Sequence, residues 1–541
     1  VAQLGSVIVK GRFTGFYNDF VSNATFYTEA GNVATNILLS NNQKEKIIEY
    51  NGHIQASGFN IGKVFDISQV GVIDLDAAID GKGFSGDNAD LTIQGDLTNF
   101  QLLGNFMDHI HLDGSLRNKR FDGRLDMKDD LARLDFNGSI DFSDSLPAFD
   151  FKANLTDAFL TRLNLWERDP SSSLTTHMDF NFKGNTLDNL LGTLSFKNTV
   201  YKEKEARVAM KDLLLQTQRL QGDNKRMTLK SDFADAVFSG QYTFSDLAEY
   251  LTFVFTDYLP GLALVTPTVP RAVKGSFDYT VQIKNSNPLT QIFLPGVEID
   301  PNTVVSGGFD PTAGIVNLNG RSPRIRLKAF ELNDFSLRGA TVNQQFGMEM
   351  RCASLDYRPD DKTDKPVARL ERFLLDLTAR NDSVRYRLLW NDRDSIVHNK
   401  ADIAGAVSFA GYPALSLGLD TAFLLINDTV WSIRPGHLAT IDTATIQAYD
   451  IRIRSENQAV GINGCISDDP LDQMGVDFVN FNLSQFDKLT ASVGVDFDGR
   501  VNGHLSIADI YNVPLVMASL VVGQFGFNHE PLGDAEITSN W

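Results

Sequence analysis

Residues 109–142 read HIHLDGSLRNKRFDGRLDMKDDLARLDFNGSIDF, and the rhythm of that stretch decides the fold class. At a period of two, Ile110, Leu112 and Leu116 share one face, while His111, Asp113, Ser115 and Arg117 share the other. Beyond Asn118-Lys119, the next run sets Phe121, Leu125 and Met127 against Asp122, Arg124, Asp126 and Lys128. Beyond Asp129-Asp130, a third sets Leu134, Phe136, Ile140 and Phe142 against Arg133, Asp135, Ser139 and Asp141. Alternation at period two marks half-buried strands, and three of them joined by short polar turns make an antiparallel meander. Neighbouring strands align their like faces, so the sheet has one apolar face and one charged face.

The same rhythm runs outward in both directions. Towards the N-terminus it predicts strands at Val7–Val9, Asn32–Leu39, Tyr50–Ile54 and Phe59–Phe65. A degenerate Gly-X-apolar unit recurs at Gly95, Gly114, Gly123 and Gly138. Isolated glycines in a strand pattern are read here as bends. Towards the C-terminus, Asp157–Leu165 reads as a short helix, and alternation resumes at Phe180, Phe182, Leu194 and Phe196. Residues 204–221 fit strand and helix equally. Ser245 opens a helical stripe of Leu247, Tyr250, Leu251, Val254, Phe255 and Tyr258 that Pro260 ends. Strands return around Phe277–Ile283, Phe373–Leu377, Val384–Trp390 and Ile403–Phe409. A short helix is expected near Ser484–Leu489, then a long strand from Val493 through Val495, Phe497 and Val501 to Ile507.

No composition break marks a domain boundary, so residues 1–541 read as one continuous elongated β segment. Sub-boundaries are expected near the 245–270 helix and the charged 352–368 loop, which contains RPDDKTDKP. At roughly 13 residues per strand and turn, the chain makes about 40 strands, or about 190 Å of sheet at ~4.8 Å each. It begins at Val1 and stops at Trp541 in mid-pattern, which reads as a piece of something longer. No apolar run approaches the roughly 20 residues of a membrane-crossing helix.

Composition narrows the function. A net charge of −19 argues against a nucleic-acid partner. The aromatics are 38 Phe against 13 Tyr and 4 Trp, a bias towards dry apolar surface over an interfacial belt. Two distant cysteines, Cys352 and Cys465, support neither a disulfide framework nor a zinc site. His109-x-His111 lacks a third ligand, and Asp496-x-Asp498-Gly499 lacks the rest of a calcium loop. Phosphate-binding glycine loops and a Gly-x-Ser-x-Gly elbow are missing. The sequence therefore predicts no enzyme, no cofactor and no metal.

Three coverings of the apolar face give the same alternation: a second sheet, a bilayer around a barrel, or lipid in an open groove. Short connections disfavour sandwich domains of about 100 residues, and the thin Tyr and Trp content disfavours a membrane barrel. The expected lining of the face is Ile110, Leu112, Leu116, Phe121, Leu125, Met127, Leu134, Phe136, Ile140 and Phe142. Beyond the quoted stretch it continues with Phe180, Phe182, Phe238, Phe277, Val281, Leu388, Phe409, Val495 and Phe497.

The order and rhythm of several stretches resemble the periplasmic β-rich region of the TamB family, within the AsmA-like group and of Bacteroidetes type. They are Tyr50–Ile54 through Gly71–Leu75, residues 109–142, Leu229–Ala236 with Gly240-Gln241-Tyr242, and Trp431 through Gly464-Cys465-Ile466-Ser467. The resemblance implies an all-β, elongated antiparallel β-taco, a U-shaped sheet with an apolar groove and a few short helices. It implies an inner-membrane anchor before this stretch and a C-terminal domain after it that meets an outer-membrane barrel of BamA/TamA type. The implied role is a periplasmic conduit for phospholipids between the two membranes, supporting outer-membrane biogenesis. The alternatives are a scaffold for assembly of outer-membrane β-barrel proteins and a multi-domain β-sandwich surface or carbohydrate-binding protein.

Overall fold

In a computed structural model of the chain, Asn118 and Lys119 have φ of 49° and 64°. Two successive positive values are the backbone of a type I′ turn, whose twist matches that of the strands it joins. Arg117 therefore lies opposite Arg120, and the Ile110–Arg117 and Arg120–Lys128 strands pair Leu116 with Phe121, Leu112 with Leu125 and Ile110 with Met127. The Arg133–Asp141 strand adds Ile140, Phe136 and Leu134 at the same three levels. The same turn recurs at Asn343-Gln344, Asn381-Asp382 and Asn528-His529. Asparagine comes first each time, being one of the few side chains that tolerates this conformation.

The structure describes residues 4–16, 18–42, 47–65, 68–83, 90–245, 247, 256, 258–262, 275–310, 313–359, 366–411, 413–426, 428–486, 495–511 and 513–540. Among these it is all-β and antiparallel, with 35 strands and a few short helices. Tertiary contacts divide the chain into two compact units, Val1–Ala236 and Val237–Trp541. No described helix is long and apolar enough to cross a membrane.

Several local expectations are corrected. Phe59–Phe65 is not one strand: the Ile47–Asn60 strand ends, and Ile61–Phe65 is helical. Asn60 is the cause, its side-chain oxygen accepting from the Lys63 N–H at 2.8 Å as an N-cap. Asp157–Leu165 is not a helix. The Ala148–Phe159 strand runs through its start, and the chain then turns. The Gln345–Tyr357 strand occupies the start of the expected 352–368 loop, and residues 360–365 lie outside the described residues. Most of the 245–258 helix and Val493 lie outside them too, while Leu483–Phe486 is a 3-10 turn. Cys352 and Cys465 are both free thiols.

The ambiguous 204–221 stretch is a strand, Ala206–Arg219. Val208 and Met210 face inwards, then the inward set slips by one to Leu213, Leu215 and Thr217. The slip has a neighbour in Asn198, with φ of 50°, and in Asp157, with φ of 48° at a register break between Leu155 and Ala158. The second unit repeats the device. Asp334 and Arg372 have φ of 49° and 48°, and beyond them Leu332, Leu355 and Leu370 pack with Phe335, Cys352 and Phe373. Bulges of this kind bend a strand and shift its alternation while keeping the apolar face continuous.

One ionic network in the second unit is centred on a buried carboxylate. Asp356, with 0% exposure, accepts two bonds from Arg369 at 2.8 and 2.7 Å and one from Arg358 at 3.3 Å. Arg358 lies 3.6 Å from Glu331, which Arg324 joins to Asp300 and Glu298.

Candidate functional site

The candidate site is the apolar face, and in the first unit it can be followed rung by rung through the register. One rung passes from Leu112 to Leu125, Phe136, Ala153, Met178, Phe196 and Leu213. The rung beside it holds Gly114, Gly123, Gly138, Phe151, Phe180 and Leu194. A third holds Leu116, Phe121, Ile140, Phe149 and Phe182.

Aromatic rings tie these rungs together sideways. Phe121, Phe136, Phe151, Phe180 and Phe196 form a chain of ring contacts over consecutive strands, with centroids 6.3, 4.9, 5.1 and 5.0 Å apart. Phe149 and Phe182 stack at 4.7 Å and 20°. Each such pair contributes about 0.5–1.5 kcal/mol beyond simple burial.

The repeated glycines belong to this packing and are not bends, which corrects the sequence expectation. Gly114, Gly123 and Gly138 sit opposite one another in an unbroken ladder. A Cβ on Gly114 would lie 2.6 Å from the Phe121 ring. The glycine thus makes room for an aromatic ring lying across its strand. Tyr279 over Gly307 and Tyr386 over Gly405 repeat the arrangement in the second unit.

The face is covered at one end and open along the rest. Met107, Ile110, Met127, Ala132, Leu160 and Leu163 are buried at one end of the strands. Phe136 is also buried, at 8% exposure. Leu112, Leu116, Phe121, Leu125, Leu134, Ile140, Phe180 and Phe182 are only half-buried, and Phe142, at the strand end, is 59% exposed. Rings packed sideways with no second layer above them stay half-exposed; a sandwich core would bury them. The whole-chain area agrees. It is 31311 Å², whereas two compact globules of the units' sizes would expose about 23,000 Å² on the mass scaling of folded monomers.

In the second unit, Phe277 meets Phe309 at 5.9 Å, Phe238 meets Tyr279 at 6.1 Å, and Val281 lies opposite Val305. Leu388 lies between Leu375 and Ile403, Phe409 opposite Leu415, and Phe497 meets Phe527 at 5.8 Å. Val495 precedes the Phe497–Ala508 strand and has no rung position, because the described strand begins only at Phe497. The sequence reading omitted Phe149, Phe151 and Phe196 from the lining, although their alternation is visible. It also missed Trp431 and Phe481, which are buried and touch across intervening strands, a contact that no local pattern signals.

Little else in the described residues resembles a reactive centre. His111 pairs with Asp96 at 2.8 Å on the polar face, and His109 sits in a turn with φ of 55°. No group of three His, Cys, Asp or Glu among the described residues is placed to hold a metal ion. Burial pushes the Cys352 thiol up to about 11, with Asp356 adding to the effect, so it is a poor nucleophile. Searches against protein-family profiles, curated proteins and solved structures find no match to this chain.

Proposed function

We propose that the apolar face of each unit holds the acyl chains of phospholipid, and that the protein is a non-enzymatic conduit carrying lipid between the membranes of a cell envelope. The observation that carries this reading is the run of half-buried rings and aliphatics packed only sideways. Such a face needs an apolar cover, and acyl chains supply one without a folded partner. Binding is then spread over many side chains, each contributing on the order of 1 kcal/mol by burial. The resemblance to the TamB family's periplasmic region points the same way and supplies the periplasmic setting, the inner-membrane anchor and the outer-membrane barrel as expected partners.

A second reading is favoured by one observation. All nine residues of the edge strand Ile8–Phe16 are exposed, and in the described residues it pairs on one side only, with Asp19–Thr28. An open edge accepts another strand, so a scaffold receiving unfolded barrel strands would use it. Photo-crosslinkers at Phe142 and Phe182 separate the two readings. Lipid adducts, with phospholipid recovered by extraction and native mass spectrometry, support the conduit. Peptide adducts and a lipid-free protein overturn it.

A further inference from the structure

Outside the apolar face, positive charge gathers between two strands of the second unit. In the second unit the Thr429–Ile433 and Ile446–Ser455 strands pair Ser432 with Arg454 and Ile433 with Ile453. One residue on, the Arg434 N–H donates to the Arg452 carbonyl at 3.2 Å. Alternation therefore brings Ser432, Arg434, Arg452 and Arg454 out together on the polar face, and all four are exposed. They line, with Ile433 and Pro435, a cavity of about 380 Å³. The recess has a cause in the sequence: the neighbours of Arg452 and Arg454 on the next strand are Gly461 and Ala459, which leave its floor low.

The charges in this recess do not balance. Asp450 lies 2.6 Å from Arg452 and 3.5 Å from Arg434, and Arg454 makes no ion pair among the described residues. Asp477 leans over Gly461 at the floor but is engaged by His504 at 2.8 Å, so the three guanidiniums of the lining outnumber the carboxylates near them, on a chain whose net charge is −19. The hydrogen bond from Arg452 and the nearby charges of Arg452, Arg434 and Arg454 hold the Asp450 carboxyl below its ordinary range. Like charges facing one another across strands destabilise a sheet, so a cluster of this kind is relieved by an anion. Guanidiniums stay charged, are weakly hydrated and present planar forks that match a tetrahedral oxyanion; the Ser432 hydroxyl beside them donates to the Arg454 carbonyl at 3.4 Å.

We propose that Arg434, Arg452 and Arg454 form a binding site for a phosphate-type oxyanion, whether carried on a lipid headgroup or free in solution. The site lies on the polar face and does not depend on what covers the apolar one.

The test uses the full chain, its Arg434→Gln/Arg454→Gln variant, and Arg124→Gln as a control on the polar face of the first unit. Inorganic phosphate is titrated and followed by 31P line broadening, and co-sedimentation is measured with phosphatidylcholine vesicles with and without phosphatidylglycerol. Circular dichroism checks that the variants fold, as expected for exposed side chains. Saturable phosphate binding, weakened about tenfold or more in the double variant and unchanged in Arg124→Gln, supports the site. Sedimentation with the anionic vesicles that shows the same sensitivity assigns it to headgroups; phosphate binding without sedimentation assigns it to the free anion. Equal binding by the double variant, or binding of neither probe, overturns the proposal.

Discussion

The rings of Trp431 and Phe481 meet with centroids 6.0 Å apart at an angle of 46°, although two strands lie between theirs. Three ladder spacings on a flat sheet would separate the strands by about 14 Å. The contact requires the apolar side to be concave there, with the buried Ser455 on an intervening strand leaving room. If the two rings close the concavity, Trp431→Ala and Phe481→Ala share one loss. A double-mutant cycle on urea unfolding is expected to give a coupling of about 1 kcal/mol. Additive effects would show that the rings touch without holding the curve.

Within the run of phenylalanines, position separates stability from cargo. Phe180 touches Phe151, Phe182 and Phe196, so Phe180→Ala is expected to cost about 2 kcal/mol. Phe142 is 59% exposed and, among the described residues, its ring meets that of Phe149 alone, at 6.4 Å, so Phe142→Asp changes stability by less than about 0.5 kcal/mol. Under the lipid reading it still lowers co-purifying phospholipid, because a charge then stands at the open end of a rung. Unchanged lipid content in both Phe142→Asp and Phe182→Asp would count against that reading.

Lys119 sits at φ of 64° without the freedom of glycine. Asn-Gly is the preferred pair for this turn, so Lys119→Gly is expected to stabilise the first unit by about 0.5–1 kcal/mol. The check is a rise in the urea midpoint at constant slope. Lys119→Val at the same place is expected to lower it, since a β-branched side chain resists positive φ.

Asp356 should govern acid stability in the second unit. Burial alone would raise its pKa, but the bonds and charge of Arg369, together with Ser354 and Arg358, outweigh burial and lower it. A carboxylate depressed on folding stabilises the fold above its unfolded value, about 3.9, and that contribution disappears as pH falls through the lower folded value. Asp356→Asn is therefore expected to cost about 2 kcal/mol at neutral pH, by removing the buried carboxylate that Arg369 and Arg358 bond. Its stability is also expected to vary less below about pH 4 than the parent's. Parallel unfolding curves at every pH would refute the assignment.

The strands of 109–142 were legible because three short runs kept strict alternation and Asn118-Lys119 named its own turn. Ala206–Arg219 was not, since a bulge shifts alternation by one: Val208 and Met210 followed by Leu213 and Leu215 fits neither period two nor 3.6. Asn198, Asp157 and Asp334 carry the only local hint, as polar residues that tolerate positive φ within otherwise apolar runs. For the face itself, membership could be read from sequence, but coverage could not. Ile110 and Phe142 look equivalent in the alternation, yet one is buried and the other exposed, because loops from distant residues close only one end.

Each described strand pairs with a neighbour in the chain, or shares that neighbour with a short strand beside it. Such a ladder has low contact order, and each new hairpin can be laid on the previous strand with little loop to close. Folding can therefore proceed in the order in which the chain is delivered, one hairpin at a time. A segment emerging through a narrow pore would be able to fold before the rest had arrived.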